Sequence, residues 1–239
     1  MSALYSTFCH ADYKGNDYLS LDGQIQHKLA YISDHIPAGK SLILIGHSIG
    51  CYMILRMLSD DTDHSLVQFS SCRSVRKCYL LFPTIEHIAQ SPNGQFFTPL
   101  LKYFCWMIPL LTFPLLFLPY RVKRFLVERC FRVGITRCAV EATVKLLSPS
   151  AYGNSVYLAS IEMQSVCELD IETVEKNIER LCFYYGTGDA WCPVDYHHSM
   201  IRLFPSADIH LCSHNIEHAF VLRDSEKMAA ILSDLLKLS

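Results

Sequence analysis

The chain has 239 residues, enough for one α/β domain with a sizeable core, and no linker or composition break marks a second domain. Its 21 basic and 23 acidic residues leave a net charge of -2 and are scattered, which excludes a nucleic-acid-binding surface. Eleven cysteines at irregular spacings, with no Cys-x-x-Cys pair, indicate free thiols in a reducing, cytosol-facing environment. The histidine pairs (His197 with His198, and His210 with His214) lack a partnering Cys or Glu pattern, so neither a metal nor another cofactor is predicted.

The first third of the chain alternates between strands and helices. Residues 3–9 are rich in β-forming side chains, residues 22–36 carry Ile25, Leu29 and Ile32 at helical spacing, and residues 42–45 form an apolar strand. A helix over 49–58, a polar stretch over 59–76 and a buried strand over 78–82 follow. This order predicts an α/β fold with a mostly parallel sheet, helices on both faces and right-handed crossovers.

The middle of the chain interrupts that alternation. No charged residue occurs over 103–120, while Pro109, Pro114 and Pro119 argue against a straight membrane span. Basic residues follow directly, so the stretch from Phe96 to Tyr120 predicts an interfacial surface that contacts a membrane. An apolar cap that covers an active-site cleft is compatible with that role. Amphipathic helices over 122–132 and 139–147 extend the predicted cap, which we place at about 87–178 within one domain.

The most informative segment lies between the second strand and the helix that follows it. Gly46-His47-Ser48-Ile49-Gly50 after an apolar strand and before a helix is the pattern of a nucleophile elbow, which exposes the serine hydroxyl above the sheet. We expect side chains at Gly46 and Gly50 to collide with the neighbouring strand and helix, which would explain the glycine spacing.

The last third supplies an acid and a base for that serine. A strand over 181–185 ends at a turn that contains Asp189, a helix over 194–203 and a strand over 209–212 follow, and His218 lies in the next loop. Ser225 is predicted to cap a final helix to 238. The order Ser48, Asp189, His218 is that of α/β-hydrolases, in which the imidazole takes the serine proton and the carboxylate orients the imidazole.

Two other carboxylates compete with Asp189 for the role of the triad acid. Asp170 lies in a helical, solvated stretch, and Asp195 follows Pro193 at a helix start, where an acidic residue is ordinary. Neither follows a buried strand, so Asp189 is the preferred acid.

Seven segments carry a resemblance to a known family. They are Gly-Gln-Ile-Gln-His-Lys-Leu-Ala (23–30), Leu-Ile-Gly-His-Ser-Ile-Gly (44–50), Leu-Phe-Pro-Thr-Ile-Glu (81–86), Ser-Pro-Asn-Gly (91–94), Phe-Tyr-Tyr-Gly-Thr (183–187), Asp-Ala-Trp-Cys-Pro (189–193) and Asn-Ile-Glu-His-Ala-Phe (215–220). Together they resemble the lipid droplet-associated hydrolase family. The resemblance implies an α/β-hydrolase fold, Ser48, Asp189 and His218 as a triad, lipid esters such as sterol esters or acylglycerols as substrates, and residence on lipid droplets and the cytosolic face of the endoplasmic reticulum.

The beginning of the sequence departs from the pattern of that family. Its members start with earlier strands and a Pro-Gly-Asn-Pro-Gly loop on the oxyanion side of the site, whereas this sequence opens at what resembles the fourth strand. We therefore expect the N-terminal strands to be missing, unpaired edges beside the elbow, and a single identifiable oxyanion donor, the backbone N–H of Ile49. Two functions stay open: a serine hydrolase of lipid esters, and a droplet-associated protein with weak or no turnover.

Overall fold

The structure, a computed structural model, describes residues 19–59, 74–104, 107, 110, 113–131 and 134–237. The strand predicted over 3–9 and most of the polar stretch over 59–76 lie outside these residues. The strands are β1 (Ser41–His47), β2 (Ser74–Leu81), β3 (Leu181–Tyr185) and β4 (Asp208–Leu211). The helices are α1 (Leu21–His35), α2 (Ile49–Leu58), α3 (Pro92–Phe104), α4 (Tyr120–Cys130), α5 (Arg137–Leu146), α6 (Pro149–Ser165), α7 (Ile171–Asn177), α8 (Val194–Leu203) and α9 (Ser225–Lys237). Short 3₁₀ turns span Ile88–Gln90, Phe113–Phe117, Ile178–Arg180 and Phe220–Leu222.

The four described strands form one parallel sheet in the order β1-β2-β3-β4. All five residues of β3 are buried, as a strand covered by helices on both faces requires. In the described part of the chain no strand pairs with the outer edge of β1, where Ile43 and Ile45 are 43% and 47% exposed. The predicted parallel α/β architecture is confirmed.

Helix α1 illustrates how the sequence determines an element. Leu21, Ile25, Leu29 and Ile32 are buried and recur every three or four residues, so they form one apolar stripe against the core. The Ser20 hydroxyl oxygen accepts the backbone N–H of Gly23 at 2.9 Å, which caps the first turn. The predicted helix over 22–36 therefore differs from the observed one by a single residue at each end.

Several boundaries differ from the prediction. Strand β2 begins at Ser74, inside the stretch predicted to be a polar loop, because its first residues pair with the start of β1: Ser74 lies opposite Ser41, with their hydroxyls 3.1 Å apart. Ser225 is the first residue of α9 and not its cap, since the N–H of Met228 donates to the carbonyl of Asp224 at 2.9 Å.

Helices α3 and α6, which were not predicted, lie with α4, α5 and α7 between β2 and β3 in the chain, and α7 occupies the stretch after Asp170 that was predicted to be helical. Among the described residues, no helix combines the length and the hydropathy that crossing a membrane requires.

Candidate active site

Ser48 occupies the sharp turn between β1 and α2. Its backbone has φ 55° and ψ −125°, a positive-φ conformation that is unusual for a residue other than glycine and costs on the order of 1–3 kcal/mol. The surrounding structure holds it there: the Ser48 N–H donates to the carbonyl of Leu81 at 3.1 Å, and the Ser48 carbonyl accepts the N–H of Cys51 at 2.9 Å. The backbone is therefore that of a nucleophile elbow.

The two glycines of the elbow differ in their surroundings. A Cβ on Gly46 would lie 2.8 Å from Ile54 Cδ1 and 2.9 Å from the backbone N of Cys51, so the predicted collision is present there. The same prediction is wrong for Gly50. Apart from its chain neighbours and the backbone of its own helix, no described atom lies within 4 Å of a Cβ at that position.

The structure brings the three predicted residues into one chain of hydrogen bonds. Ser48 Oγ lies 2.8 Å from His218 Nε2, and His218 Nδ1 lies 2.6 Å from Asp189 Oδ2. A carboxylate accepts only, so Nδ1 carries the imidazole proton and Nε2 is available to accept the serine proton. This is the geometry that general-base activation of a serine requires.

Asp189 is held in its ionised form by several donors. Its Oδ1 accepts the N–H groups of Trp191 at 2.7 Å and Cys192 at 3.2 Å, and its Oδ2 accepts the Cys192 S–H at 2.8 Å. Burial of the side chain acts to raise the pKa of Asp189, but the hydrogen bond and charge of His218 and these donors outweigh it and lower the pKa. A buried carboxylate that stays charged can orient His218 and stabilise its protonated form.

The competing carboxylates lie elsewhere. Asp170 caps α7, with its Oδ1 accepting the Thr173 N–H at 3.0 Å and its Oδ2 accepting the Thr173 hydroxyl at 2.7 Å. Asp195 is exposed in the first turn of α8. Both have the ordinary helix-start role that the sequence predicted for Asp195.

Two side chains at the site were not predicted from the sequence. Thr84, only 1% exposed, places its Oγ1 3.5 Å from Ser48 Oγ, and Cys192 contacts Asp189 as described above. The spacing of Cys192, three residues after Asp189, is a local signal that could have been used, because an Asp side chain often accepts from N–H groups two and three residues later. Thr84 has no such signal, since it reaches Ser48 only through the pairing of β1 with β2.

The backbone N–H of Ile49, the predicted oxyanion donor, lies at the first position of α2, next to Ser48. It donates to no acceptor in the described part of the chain. A helix N-terminus carries a partial positive charge, so this N–H is suited to a developing oxyanion.

An apolar wall adjoins the proposed triad. The Trp191 ring centroid lies 6.4 Å from that of His218 and 5.6 Å from that of Phe97, on which it stacks. Four partly buried side chains form this wall and pack on a buried hydrophobic cluster that Ile88, α3 and α6 contribute: Trp191, Phe97, Ile49 and Tyr52. The surface beside Ser48 is therefore aromatic and aliphatic, which suits a hydrocarbon ligand better than a polar one.

Among the residues that the structure describes, two groups of side chains have potential metal-ligand atoms within 4.8 Å of one another. One is Asp189, Cys192 and His218, whose atoms already hydrogen bond to each other. The other is Cys182, Asp208 and His210, in which Lys77 Nζ lies 2.9 Å from Asp208 Oδ2 and supplies a positive charge. Burial raises the pKa of Cys182 to about 12, so this group is suited to an ion-pair network. The register places Cys182 of β3 opposite Asp208 of β4, and this brings its Sγ near His210, a proximity that the spacing of residues along the chain does not show.

Similarity to solved structures identifies the fold class of the protein. The solved structures that resemble it include the serine hydrolase CarC of carbazole degradation (TM-score 0.59, 13% identity, covering 95% of this chain and 75% of that one) and a carboxylesterase of Nitrososphaera gargenis (TM-score 0.57, 11% identity, covering 92% and 72%). At such identities the likeness establishes the fold alone. The protein has an α/β-hydrolase fold, as the sequence predicted.

The sequence comparisons identify the family. The family model described as lipid-droplet associated hydrolase matches residues 5–221, so the chain belongs to that family. Relatives named lipid droplet-associated hydrolase include proteins of Gallus gallus (41% identity, 92% of this chain, 66% of the relative), Homo sapiens (38%, 92%, 65%) and Drosophila melanogaster (38%, 93%, 71%). The chain spans about two thirds of the length of most of the curated relatives it matches.

Proposed function

We propose that this protein is a serine hydrolase of lipid esters, with Ser48 as nucleophile, His218 as base and Asp189 as the orienting acid. The observation that carries the proposal is the continuous hydrogen-bond chain of 2.8 Å and 2.6 Å that ends on a serine with φ 55°. Membership of a family named for a hydrolase supports it.

The proposed reaction has two half-reactions. Ser48 Oγ attacks the ester carbonyl carbon while its proton moves to His218 Nε2, and the resulting oxyanion accepts the N–H of Ile49. The ester C–O bond then breaks, and His218 returns the proton to the departing alcohol. A water molecule, deprotonated by His218, then attacks the carbonyl carbon of the acyl-enzyme. The bond from that carbon to Ser48 Oγ breaks, His218 returns the proton to Ser48 Oγ, and the acid is released. Asp189 stabilises the imidazolium form of His218 in both halves.

The proposed substrates are lipid esters such as sterol esters or acylglycerols. The apolar wall of Trp191, Phe97, Ile49 and Tyr52 supports this class, because burying hydrocarbon contributes about 0.8 kcal/mol per CH₂ group. We therefore expect turnover to increase with acyl length up to the length that the wall accommodates.

The proposed site of action is the surface of lipid droplets and the cytosolic face of the endoplasmic reticulum. The relatives' name, lipid droplet-associated hydrolase, supports this location. The stretch from Phe96 to Tyr120 exposes Phe96 (69%), Phe113 (51%) and Phe117 (75%), and α4 continues the surface with exposed Phe125. Single exposed apolar residues are ordinary, but a run of aromatic ones next to basic side chains favours a phospholipid surface.

The experiment on the active site uses a fluorophosphonate probe, which reacts with an activated serine whatever the natural substrate is. We expect the wild-type chain to be labelled at Ser48 and Ser48→Ala to be unlabelled. His218→Ala should slow labelling more than Asp189→Asn. Labelling that persists in Ser48→Ala would refute the assignment. A wild-type chain that binds droplets but does not label would favour the non-catalytic alternative.

The experiment on location uses artificial triacylglycerol droplets coated with phosphatidylcholine and phosphatidylserine. We expect the double variant Phe113→Asp/Phe117→Asp to lose co-flotation with these droplets. The control is Leu203→Asp/Val221→Asp, which changes two exposed apolar side chains (51% and 50%) outside the stretch. Equal loss in both variants, or no loss in the first, would contradict the proposed docking surface.

A further inference from the structure

His47 links the nucleophile strand to the loop that carries the proposed base. It is the last residue of β1, directly before Ser48, and its Nε2 lies 2.8 Å from the backbone carbonyl oxygen of His218. A carbonyl only accepts, so Nε2 carries a proton and donates it. A hydrogen bond therefore joins the residue before Ser48 to the main chain of His218.

The surroundings of His47 keep it neutral. Its ring packs against Phe220, with centroids 4.4 Å apart, and lies 5.3 Å from the His218 ring. Burial and, next, the nearby His218 lower the pKa of His47 to about 4. At neutral pH one nitrogen is therefore protonated, and the hydrogen bond to the carbonyl fixes which one. A second positive charge beside His218 is also avoided, which matters because His218 becomes cationic during the proposed reaction.

Few other polar contacts restrain the backbone of the loop at His218. His218 belongs to no helix or strand, and within the described residues its N–H and carbonyl take part in no backbone–backbone hydrogen bond. Three residues earlier, Asn215 has φ 49°. The contact from His47 is therefore a principal polar restraint on the backbone from which the His218 ring projects.

We infer that His47 is a positioning residue: its Nε2–H holds the His218 main chain at the distance from which the His218 ring reaches both Ser48 Oγ and Asp189. The inference rests on the proposed serine hydrolase function and deepens it. Proximity is sensitive to displacement, and a shift of about 1 Å in a reacting group can cost on the order of 100-fold in rate. His47 itself transfers no proton and contacts no substrate atom in this role.

The test compares three variants of the full chain with the wild type. His47→Leu removes the donor, His47→Gln places an amide N–H near the position of Nε2, and His214→Leu changes an exposed histidine of the same loop as a control. The measured quantities are the thermal midpoint and the fluorophosphonate reaction at Ser48, resolved into the initial binding constant and the maximal labelling rate.

We expect His47→Leu to lower the maximal labelling rate by about 10- to 100-fold with little change in the binding constant. We expect His47→Gln to recover most of that loss and His214→Leu to behave like the wild type. If His47→Leu does not fold, His47→Asn replaces it, because its shorter amide stops before the carbonyl. The inference would be overturned if the variant without the donor (His47→Leu, or His47→Asn in its place) had a maximal labelling rate within two-fold of the wild type. It would also be overturned if His47→Gln were labelled no faster than that variant.

A second readout does not need activity. Nitrogen-15 NMR of the histidine rings reports tautomers directly, and we expect His47 to be neutral with its proton on Nε2 between pH 5.5 and 8, a window set by a pKa of about 4. The His218 ring signals should change in His47→Leu and not in His47→Gln. A wild-type chain without labelling would defeat the proposed function, whereas a His47 protonated on Nδ1 would defeat the positioning role.

Discussion

The two elbow glycines allow a paired experiment on the strained turn. In Gly46→Ala the new methyl would stand 2.8 Å from Ile54 Cδ1 and 2.9 Å from the backbone N of Cys51 and the backbone C of Gly50. The Ile54 methyl can rotate away, but the two backbone atoms belong to the first turn of α2. Relief therefore requires β1 and α2 to separate, and overpacking of this kind typically costs about 1–3 kcal/mol.

The same separation would displace Ser48, which connects the two elements. For a chain of this size, a loss of about 1–3 kcal/mol in the free energy of unfolding corresponds to a fall in thermal midpoint of about 2–12 °C. We also expect the maximal fluorophosphonate labelling rate at Ser48 to fall by at least about 10-fold. Differential scanning fluorimetry and timed labelling on the same samples measure both effects.

Gly50→Ala is the matched control, because Gly50 lies in the first turn of α2 and no described atom outside its chain neighbours and the helix backbone lies within 4 Å of a Cβ there. Alanine is favoured over glycine in a helix by about 0.5–1 kcal/mol, so the midpoint should stay unchanged or rise while labelling persists. A Gly46→Ala protein with wild-type midpoint and labelling would refute the packing argument. Equal losses in both variants would show that the glycines act through backbone freedom and not through space.

Three further predictions concern protonation and capping. Since the folded state holds the pKa of His47 near 4 and the unfolded state near 6.5, the unfolded chain binds more protons in that window; stability should fall by about 3 kcal/mol from pH 6.5 to 4. Urea titrations should show this acid slope reduced in His47→Gln, and parallel slopes would contradict it. Cys192→Ala removes one hydrogen-bond donor from Asp189, which raises the pKa of that carboxyl, so the acid limb of the pH profile of Ser48 labelling should move to higher pH. Cys192→Ser keeps a donor and should leave the limb in place. Coincident pH profiles for the wild type and the alanine variant would exclude this role. Asp170→Ala should cost about 1 kcal/mol in a denaturant titration by removing the cap of α7, without slowing Ser48 labelling. Slowed labelling in that variant would reopen the choice of acid.

Local patterns were sufficient for the elements that flank the site. An apolar run, a glycine-framed serine and a helical repeat are contiguous in sequence, so β1 and α2 were predicted within one or two residues. Strand β3 was predicted to the residue, because five consecutive apolar side chains with a glycine turn after them have few alternatives.

The segment between β2 and β3 could not be predicted in the same way. Helix α6 has its apolar residues distributed around the axis, since Leu158 and Ile161 pack on the main core while Ala159 and Met163 pack on the cluster with α3. A helix buried on two sides has no single apolar stripe, so the periodicity that revealed α1 is missing. Its start did carry a signal, because Ser148 accepts the N–H of Ala151 at 3.2 Å and proline occupies the first helical position.

The convergence of the proposed site depends on the register of the whole sheet. His47 lies opposite Leu81, Leu81 opposite Tyr184, and Tyr184 opposite His210, so the strands end along one continuous row. Asp189 follows β3 and His218 follows β4, and only this register brings both to the serine that follows β1. A slip of one residue between two strands would move one partner by about 3.3 Å and turn the slipped strand's side chains to the opposite face. Hydrogen bonds of 2.6 and 2.8 Å could not persist after such a slip, so the packing of the buried strands is also what holds the site together.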